Sequence, residues 1–357
     1  MGPQAKTKES AVNHAAIDLG SKESQVCVRG ADGAVLYERK HPTKELELLM
    51  KSWSPSRVVL ETSSEAFRVA DAARAAGHEV RVVRATLSKQ LGVGERGIKT
   101  DLRDARKLSE VSTRIDLPSV HIPTAEAREL RSLVRSREML ISSRTRLVNH
   151  ARGWLRTMLL KIRRGATATF PDRVRAVATQ QSHPVPQHIE QVLLVIDALN
   201  VQVLASDRQM RKLVKANELC RRLMTVPGVG PVTALSFVAA IDDVSRFEQA
   251  YRLQSYLGLT PGEDSSSERQ RRTSITKAGS TSVRRTLIQA AWAAYLRRPD
   301  EPMVKWATQI AERRGKFIAI VALARKMAGI LYALWRDKTS YRSEKSAQLA
   351  ATEVFTQ

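Results

Sequence analysis

The chain has 357 residues, which is enough for two or three domains with cores of their own. Lysine and arginine together number 59 against 36 aspartates and glutamates, and the formal net charge is +23. This excess predicts a polyanionic partner, by default a nucleic acid. We expect no membrane partner, since no apolar run approaches the roughly 20 residues that cross a bilayer.

The cysteine content and the first residues limit the class of protein further. Cys27 and Cys220 are too far apart in sequence for a zinc-binding pair, and two cysteines do not make a disulfide framework. We expect reduced thiols in a cytoplasm, with Cys27 in the core. The N-terminus is polar and lacks the apolar stretch of a secretory signal.

Residues 10–122 alternate between strand and helix patterns after an initial meander. The short strand over 15–19 leads, and it carries Asp18 at its end. The other predicted elements are strands at 25–28, 34–37, 57–62 and 79–83, and helices at 44–53 and 64–76. This order predicts a mixed α/β sheet.

Four carboxylates stand where such a sheet would bring them together. Asp18 and Glu61 end two apolar strands, and Asp101 and Asp104 are three apart in a predicted helix that Thr100 would cap. Each acid alone is explained by a turn or by a favourable charge at a helix N-terminus. Together they would repel unless divalent cations bind, and Mg²⁺ prefers oxygen ligands. The residues by themselves leave both interpretations open.

Three of these segments resemble the DEDD signature of one family of bacterial insertion-sequence transposases: Asp18-Leu19-Gly20, Leu60-Glu61-Thr62 and Lys99-Thr100-Asp101-x-x-Asp104-Ala105. Members of that family are guided by a bridge RNA, and the Piv-type DNA invertases are their relatives. The resemblance implies a RuvC-like nuclease domain of RNase-H fold over residues 10–122. It also implies that the four acids are catalytic and bind Mg²⁺.

Residues 123–222 contain two long heptad-like patterns, over 124–160 and 189–213, which predict long helices. The stretch 162–187 between them is less periodic and is predicted to be a loop. An antiparallel coiled-coil arm, a dimer contact and a solvated charged face all remain open. The resemblance implies that this arm assembles a dimer or tetramer and helps to hold nucleic acid. The first helix is strongly basic through Arg131, Arg135, Arg137, Arg144, Arg146, Arg152 and Arg156.

Residues 223–340 are predicted to be mainly helical. Gly228 and Gly230 stand in a stretch that looks like a helix-hairpin-helix element, whose backbone N–H groups would approach a phosphate; an ordinary helix–helix turn is the alternative. Helices follow over 280–296, 303–313 and 316–335, and residues 341–357 are predicted to be disordered. We expect core positions for Trp292, Trp306 and Trp335, whereas Arg325 and Lys326 would face phosphate.

A triple serine, residues 265–267, lies in a Gly/Pro loop before Arg269, Arg271, Arg272 and Lys277. Its composition is typical of a flexible linker. A hydroxyl beside clustered cations also suits attack on a phosphodiester.

The stretch 256–284 is similar to the transposase domain of the same family, through Tyr256-Leu257-Gly258-Leu259-x-Pro261, Ile275-Thr276-Lys277-Ala278-Gly279 and Val283-Arg284. The resemblance implies a serine nucleophile, which the pattern puts at Ser266. The family usually has Ser-Ser-Gly where Ser267 ends this triplet, so Ser265 and Ser267 remain candidates. The predicted nucleic-acid contacts are Gly228, Gly230, Arg269, Arg271, Arg272, Lys277 and Arg284.

The resemblance therefore implies an Mg²⁺-dependent DNA transposase of a bacterial cytoplasm, at the nucleoid. It would act on donor and target DNA, with a guide RNA and an active site assembled from two domains. A Piv-like invertase would share these residues and differ in substrates. A RuvC-like endonuclease would need the acids but no serine, and a non-enzymatic nucleic-acid-binding protein would need neither.

Overall fold

The structure is a computed structural model that describes residues 12–90, 100–263 and 272–343. The chain splits into two compact units, Met1–Pro123 and Thr124–Gln357. Each unit has hydrophobic clusters of its own. The predicted domain boundaries near 122 and 222 stay predictions, and the tail from 344 onward lies outside the described residues.

The N-terminal unit is mixed α/β, as the sequence predicts. Its elements are β1 Asn13–Asp18, β2 Glu23–Arg29, β3 Val35–Pro42, α1 Leu46–Lys51, β4 Ser56–Glu61, α2 Ala66–Ala75, β5 Glu79–Val83, α3 Ala85–Gln90 and α4 Asp101–Arg114. The helix predicted over 44–53 is shorter, because a 3₁₀ turn at Thr43–Glu45 leads into it and the main chain of Ser52 already closes onto Leu49.

Five strands form one sheet in the order β3-β2-β1-β4-β5. The β1–β2 and β2–β3 pairs are antiparallel, and the β1–β4 and β4–β5 pairs are parallel. β1 is therefore the central strand, and Ala15, Ala16 and Ile17 are fully buried.

The two faces of the sheet are covered by different helices, because successive residues of a strand point to opposite sides. Ile17 and Leu60 belong to the cluster that includes the apolar sides of α1 and α2. Ala16 and Val59 belong to the other cluster, together with Leu108 of α4. The acid-bearing helix α4 thus packs on the face defined by the even-numbered residues of β1.

The C-terminal unit is mainly helical, with one short hairpin. Its elements are α5 Ala125–Thr157, α6 Phe170–Gln180, α7 Gln187–Ala216, α8 Glu218–Leu223, α9 Pro231–Ile241, α10 Ala250–Tyr256, β6 Pro261–Glu263, β7 Arg272–Ile275, α11 Thr281–Arg297, α12 Pro302–Arg314 and α13 Lys316–Arg336. β6 and β7 pair antiparallel and flank the segment that contains the serine triplet.

Helices α5 and α7 form an antiparallel pair within the chain. Leu155 near the end of α5 clusters with Ile189 at the start of α7, and Leu130 at the start of α5 clusters with Val214 at the end of α7. The arginines that interrupt the predicted seam have partners across the pair. Arg137 Nε lies 2.5 Å from Asp207 Oδ1, and Arg144 Nη1 lies 2.9 Å from Asn200 Oδ1.

The stretch 162–187, predicted to be a loop, contains the helix α6, so that prediction is wrong in part. Phe170 and Val174 are buried in the cluster with α5 and α7. Arg175 binds Glu190 and Asp197 of α7, at 2.7 and 3.2 Å. Tertiary contacts of a few residues therefore stabilise a helix that the weak periodicity and the flanking prolines conceal.

Two helices correct the expectation that no apolar run approaches the length of a membrane span. α7 and α13 have mean hydropathies of 1.5 and 1.8 over 18-residue windows. Core helices pass the same test, and half of the α13 window is buried inside the unit. Met327 and Leu331 of α13 are fully buried in the largest core cluster.

Candidate active site

Asp18 and Glu61 end neighbouring parallel strands. Ile17 of β1 pairs with Leu60 of β4, so the next residues of both strands, Asp18 and Glu61, are also side by side. Adjacent strands are about 4.8 Å apart. Both side chains are half-buried. The parallel register thus brings two acids from separate parts of the sequence to the carboxyl ends of two neighbouring strands.

The same two acids point to the α4 side of the sheet. Asp18 is two residues after Ala16, and Glu61 is two residues after Val59, so each shares the face of its predecessor. Ala16 and Val59 pack in the cluster that contains Leu108 of α4.

Helix α4 runs antiparallel to β1 across this face. Its Ser112 Oγ lies 2.8 Å from His14 Nδ1, and its Ser109 Oγ lies 3.3 Å from Sγ of Cys27, the partner of Ala16. The step from Ala16 to Asp18 along β1 covers about 6.6 Å, which is the length of about four helical residues of α4. The row of Asp18 therefore meets α4 near Asp104, which is buried with 6% of its surface exposed.

Asp101 begins α4 and is exposed at the rim of this region. Thr100 caps the helix as predicted, since its Oγ1 accepts from the Arg103 N–H at 3.3 Å. Nζ of Lys40, on β3, lies 3.8 Å from Asp101 Oδ2. Helix N-termini favour negative charge, so Asp101 has both a dipole and a cation beside it.

The donor chemistry of these four acids fits a hard divalent cation, because all of them supply carboxylate oxygens. Within residues 12–90, 100–263 and 272–343, however, no three His, Cys, Asp or Glu side chains are grouped closely enough to hold one ion. Metal binding would therefore require the side chains of Asp18, Glu61, Asp101 and Asp104 to draw together.

The hairpin of β6 and β7 is closed by main-chain contacts at its base. Thr276 N donates to Thr260 O at 2.9 Å, and Lys277 N donates to Gly258 O at 3.2 Å. The exposed Lys277 has a φ of 56°. The residues Ser265, Ser266, Ser267, Arg269 and Arg271 lie outside the described part of the chain, and Arg272 begins β7.

Arg284 has a structural role at that base, which corrects its predicted role as a nucleic-acid contact. Its side chain is buried, with 7% exposed. Nη1 donates to Leu257 O at 3.0 Å and to Ala278 O at 2.6 Å. Burial lowers the pKa of this guanidinium. Because those bonds join the segments before and after the hairpin, Arg284 holds the base of the hairpin together.

The two glycines of the predicted helix-hairpin-helix element, between α8 and α9, differ in their surroundings. Gly228 has a φ of 87°, and a Cβ there would lie 2.2 Å from Ala290 O of α11. Its missing side chain is thus explained by packing against a helix. Gly230 caps α9, and a Cβ there would meet no atom within 4 Å. Only Gly230 keeps the open approach that a phosphate contact needs.

Known families match both units. A family model described as a transposase, of the DEDD type, matches residues 15–159, and a model of the IS116/IS110/IS902 transposase family matches residues 220–305. The transposase of insertion sequence element IS1111A from Coxiella burnetii is 32% identical over 250 residues, which cover 68% of each protein. This chain belongs to the IS110/IS116/IS902 family.

Other relatives of this transposase extend over nearly the whole chain. The probable family 20 transposase of Pseudomonas aeruginosa is 28% identical over 333 residues, 91% of this chain and 97% of that protein. The transposase of insertion sequence element IS1328 from Yersinia enterocolitica is 22% identical over the same shares. The protein is therefore an insertion-sequence transposase, an enzyme that acts on DNA.

Sequence reasoning missed a polar layer beneath α4 in this transposase. His14 and Arg29 reach Ser112 and Ser109, with Arg29 Nε 3.1 Å from Ser109 Oγ. The alternation of β1 carried a signal for it, since His14, Ala16 and Asp18 share one face. Burial lowers the pKa of His14 and raises the pKa of the Cys27 thiol. Cys27 is fully buried, as predicted.

Proposed function

We propose that this transposase cuts and rejoins DNA by Mg²⁺-dependent phosphoryl transfer through a serine–DNA intermediate, and that a noncoding bridge RNA selects donor and target. The N-terminal unit then acts as a RuvC-like nuclease with an RNase-H-like fold. The pairing of Ile17 with Leu60 carries the proposal, because it sets Asp18 beside Glu61 on the face covered by α4.

In this proposal Asp18, Glu61, Asp101 and Asp104 are the ligands of Mg²⁺. When bound, Mg²⁺ supplies polarisation of the scissile phosphate and stabilisation of the leaving oxygen. The two strand acids are held by the parallel ladder and Asp104 by the packing of α4. Supports of this kind fix the backbone positions of the ligands, so only the side chains have to move to bind an ion.

Ser266 would be the nucleophile. Its Oγ attacks the scissile phosphorus, the bond from phosphorus to the neighbouring sugar oxygen breaks, and that oxygen takes up a proton in place of the one that the serine loses. The phosphoserine ester conserves the bond energy, so attack by a DNA hydroxyl rejoins the strand and releases the serine. The cations Arg269, Arg271, Arg272 and Lys277 would offset the charge of the phosphate.

Charge supports the nucleic-acid partners of the proposal. The net charge of +23 favours binding to DNA and RNA. On α5, Arg135, Arg146 and Arg156 are exposed, in contrast to the paired Arg137 and Arg144. The arm would contact RNA and contribute to a homodimer or homotetramer, and the backbone N–H groups near Gly230 would position the duplex. The reaction would take place in a bacterial cytoplasm, at the nucleoid.

The decisive experiment mixes the purified chain with DNA that spans the ends of its element, the flanking noncoding RNA and MgCl₂. Denaturing electrophoresis then detects a protein–DNA adduct, and mass spectrometry maps the modified serine. We expect an adduct on Ser266, dependent on Mg²⁺ and on the RNA, and absent in Ser266→Ala. The variants Ser265→Ala and Ser267→Ala are matched controls and should retain it.

Other products would overturn parts of the proposal. Nicked DNA without an adduct, with Ser266→Ala fully active, would indicate an endonuclease. An adduct that forms without RNA would remove the guide and favour an invertase-like enzyme. An adduct on Ser265 or Ser267 would change the nucleophile alone.

A further inference from the structure

A cleft of about 1090 Å³ lies in the C-terminal unit beside the hairpin of β6 and β7. Thr273, Ser274 and Ile275 of β7 line one side. Residues of α12 and of the first half of α13 also line it, among them Trp306 and Phe317. The cleft therefore adjoins the strand that follows the serine triplet in the chain.

Two aromatic side chains in its apolar walls are exposed. Phe317 has 81% of its surface exposed and Trp306 has 37%. The core position predicted for Trp306 is therefore wrong, whereas Trp335 packs against the core beside Phe237. Exposed aromatic rings can stack against nucleic-acid bases, which all have a flat π-face.

The charged side chains that line the cleft are Arg314, Arg325 and Lys326, and none of its described lining residues is acidic. Lys326 Nζ lies 4.5 Å from the centroid of the Trp306 ring. Arg325 Nε donates to Gln254 Oε1 at 3.1 Å, which fixes its side chain beside the cleft. A ligand that suits this wall is flat and apolar at one end and anionic at the other.

We propose that this cleft receives an unpaired nucleotide of the DNA strand next to the scissile phosphate. The base stacks on Phe317 beside Trp306, and its phosphates lie against Arg314 and Lys326. A base inside a duplex is covered on both faces by its neighbours, so only an extruded nucleotide can use the rings. The identity of the strand rests on the proposed function; the preference for unpaired DNA does not.

The test measures binding of the full chain to a fluorescein-labelled single-stranded DNA hexamer by anisotropy. Phe317→Ala should weaken binding about five- to a hundredfold, in line with the loss of one stacked base. The matched control is Tyr251→Ala, since Tyr251 is 48% exposed, has Arg252 above its ring and lies outside the cleft. Tyr251→Ala should bind like the parent.

Two further measurements separate stacking from charge. Replacing the nucleotides of the hexamer by abasic sites should remove the difference between Phe317→Ala and the parent. Arg314→Gln should lower the slope of log K against log salt by about 0.7, the value for one phosphate of a single strand. Arg313→Gln, at the exposed neighbouring position of α12, is its control and should keep the parent slope.

The outcomes distinguish this inference from the proposed function. A fully paired duplex of the same sequence is measured in the same way. If Phe317→Ala binds the hexamer like the parent, or loses as much affinity for this duplex as for the hexamer, the cleft is not a site for an unpaired nucleotide. If an RNA hexamer of the same sequence binds more tightly than the DNA hexamer and this binding depends on Phe317, the cleft is a site for RNA and the proposal is overturned. Asp104→Asn should abolish cleavage and leave hexamer binding intact. The binding result can therefore be interpreted even if the proposed cleavage chemistry is wrong.

Discussion

Arg284 Nη1 donates to the main-chain oxygen of Ala278 at 2.6 Å. The same atom reaches Leu257 O at 3.0 Å, so one buried guanidinium ties together the two segments that enter and leave the hairpin. Glycines allow this closeness, since a Cβ on Gly279 would lie 2.0 Å from Tyr256 O. The base of the hairpin is thus a packed structure rather than a linker.

Loss of the Arg284 hydrogen bonds should impair catalysis by displacing the proposed nucleophile. We expect Arg284→Met to lower strand cleavage about a hundredfold, because a displacement near 1 Å has about that effect on a positioned nucleophile. Cleavage of a labelled duplex measures the rate, and circular dichroism checks that the helices persist. Arg285→Met is the control, since Arg285 is exposed and faces Glu138 at 3.8 Å; equal losses in both variants would contradict the positioning role.

Removing single acids should separate activity from stability. We expect Glu61→Gln and Asp104→Asn to lower cleavage about a thousandfold or more, since each removes a charged ligand of the proposed metal. Neither should lower the unfolding free energy as strongly as it lowers activity, because each amide keeps the size and polarity of the side chain that it replaces. Cleavage assays and urea unfolding measure the two effects. Glu47→Gln, an exposed acid on α1, should change neither, and an active Glu61→Gln would remove the metal site from the proposal.

The two glycines between α8 and α9 should respond differently to alanine. Gly228→Ala should reduce the unfolding free energy by about 3 kcal/mol, because it combines a positive φ with a clash against α11. Gly230→Ala should cost less than about 1 kcal/mol and weaken DNA binding instead. Thermal unfolding and electrophoretic mobility shifts give the two readouts. A stable Gly228→Ala protein would contradict the packing explanation.

His14 should make stability depend on pH. Burial lowers the pKa of His14 in the folded protein below its value in the unfolded chain. The unfolded chain therefore binds a proton first as the pH falls, and stability present above about pH 6.5 is lost on acidification. The difference in unfolding free energy between pH 7 and about pH 5 should be smaller in His14→Asn. An unchanged pH profile in that variant would assign the loss to other groups.

Two nearby arginines of α5 should have different roles: Arg137 stabilises the fold, and Arg135 binds nucleic acid. Arg137→Met leaves Asp207 without this half-buried partner and should cost about 1–3 kcal/mol, visible as faster hydrogen exchange in α5 and α7. Arg135→Met, at an exposed position, should leave exchange unchanged and reduce the salt dependence of nucleic-acid binding. Identical behaviour of the two variants would contradict this division.

Local patterns predicted the elements that have a clear apolar run or a helix cap. The apolar runs of β1, β4 and β5 and the Thr100 cap of α4 appear in the structure at the expected places. The strand order could not be read from these patterns, because the parallel pairing of β1 with β4 joins segments separated by two other strands. That pairing brings Asp18 beside Glu61.

Single residues explain where sequence reasoning failed. Arg284 resembled a phosphate contact because exposure cannot be read from residue type, and only the tertiary packing reveals its backbone acceptors. Trp306 resembled a core residue because its helix is amphipathic, yet it faces the cleft. The roles of the serine triplet stay predictions.

The central place of β1 ties the integrity of the sheet to residues 13–18. Without this strand, β2 and β3 would lose their connection to β4 and β5, and the sheet would fall into two unsupported ribbons. A polypeptide started at an internal codon beyond Gly20 would therefore lose one acid and the scaffold of the others in a single step.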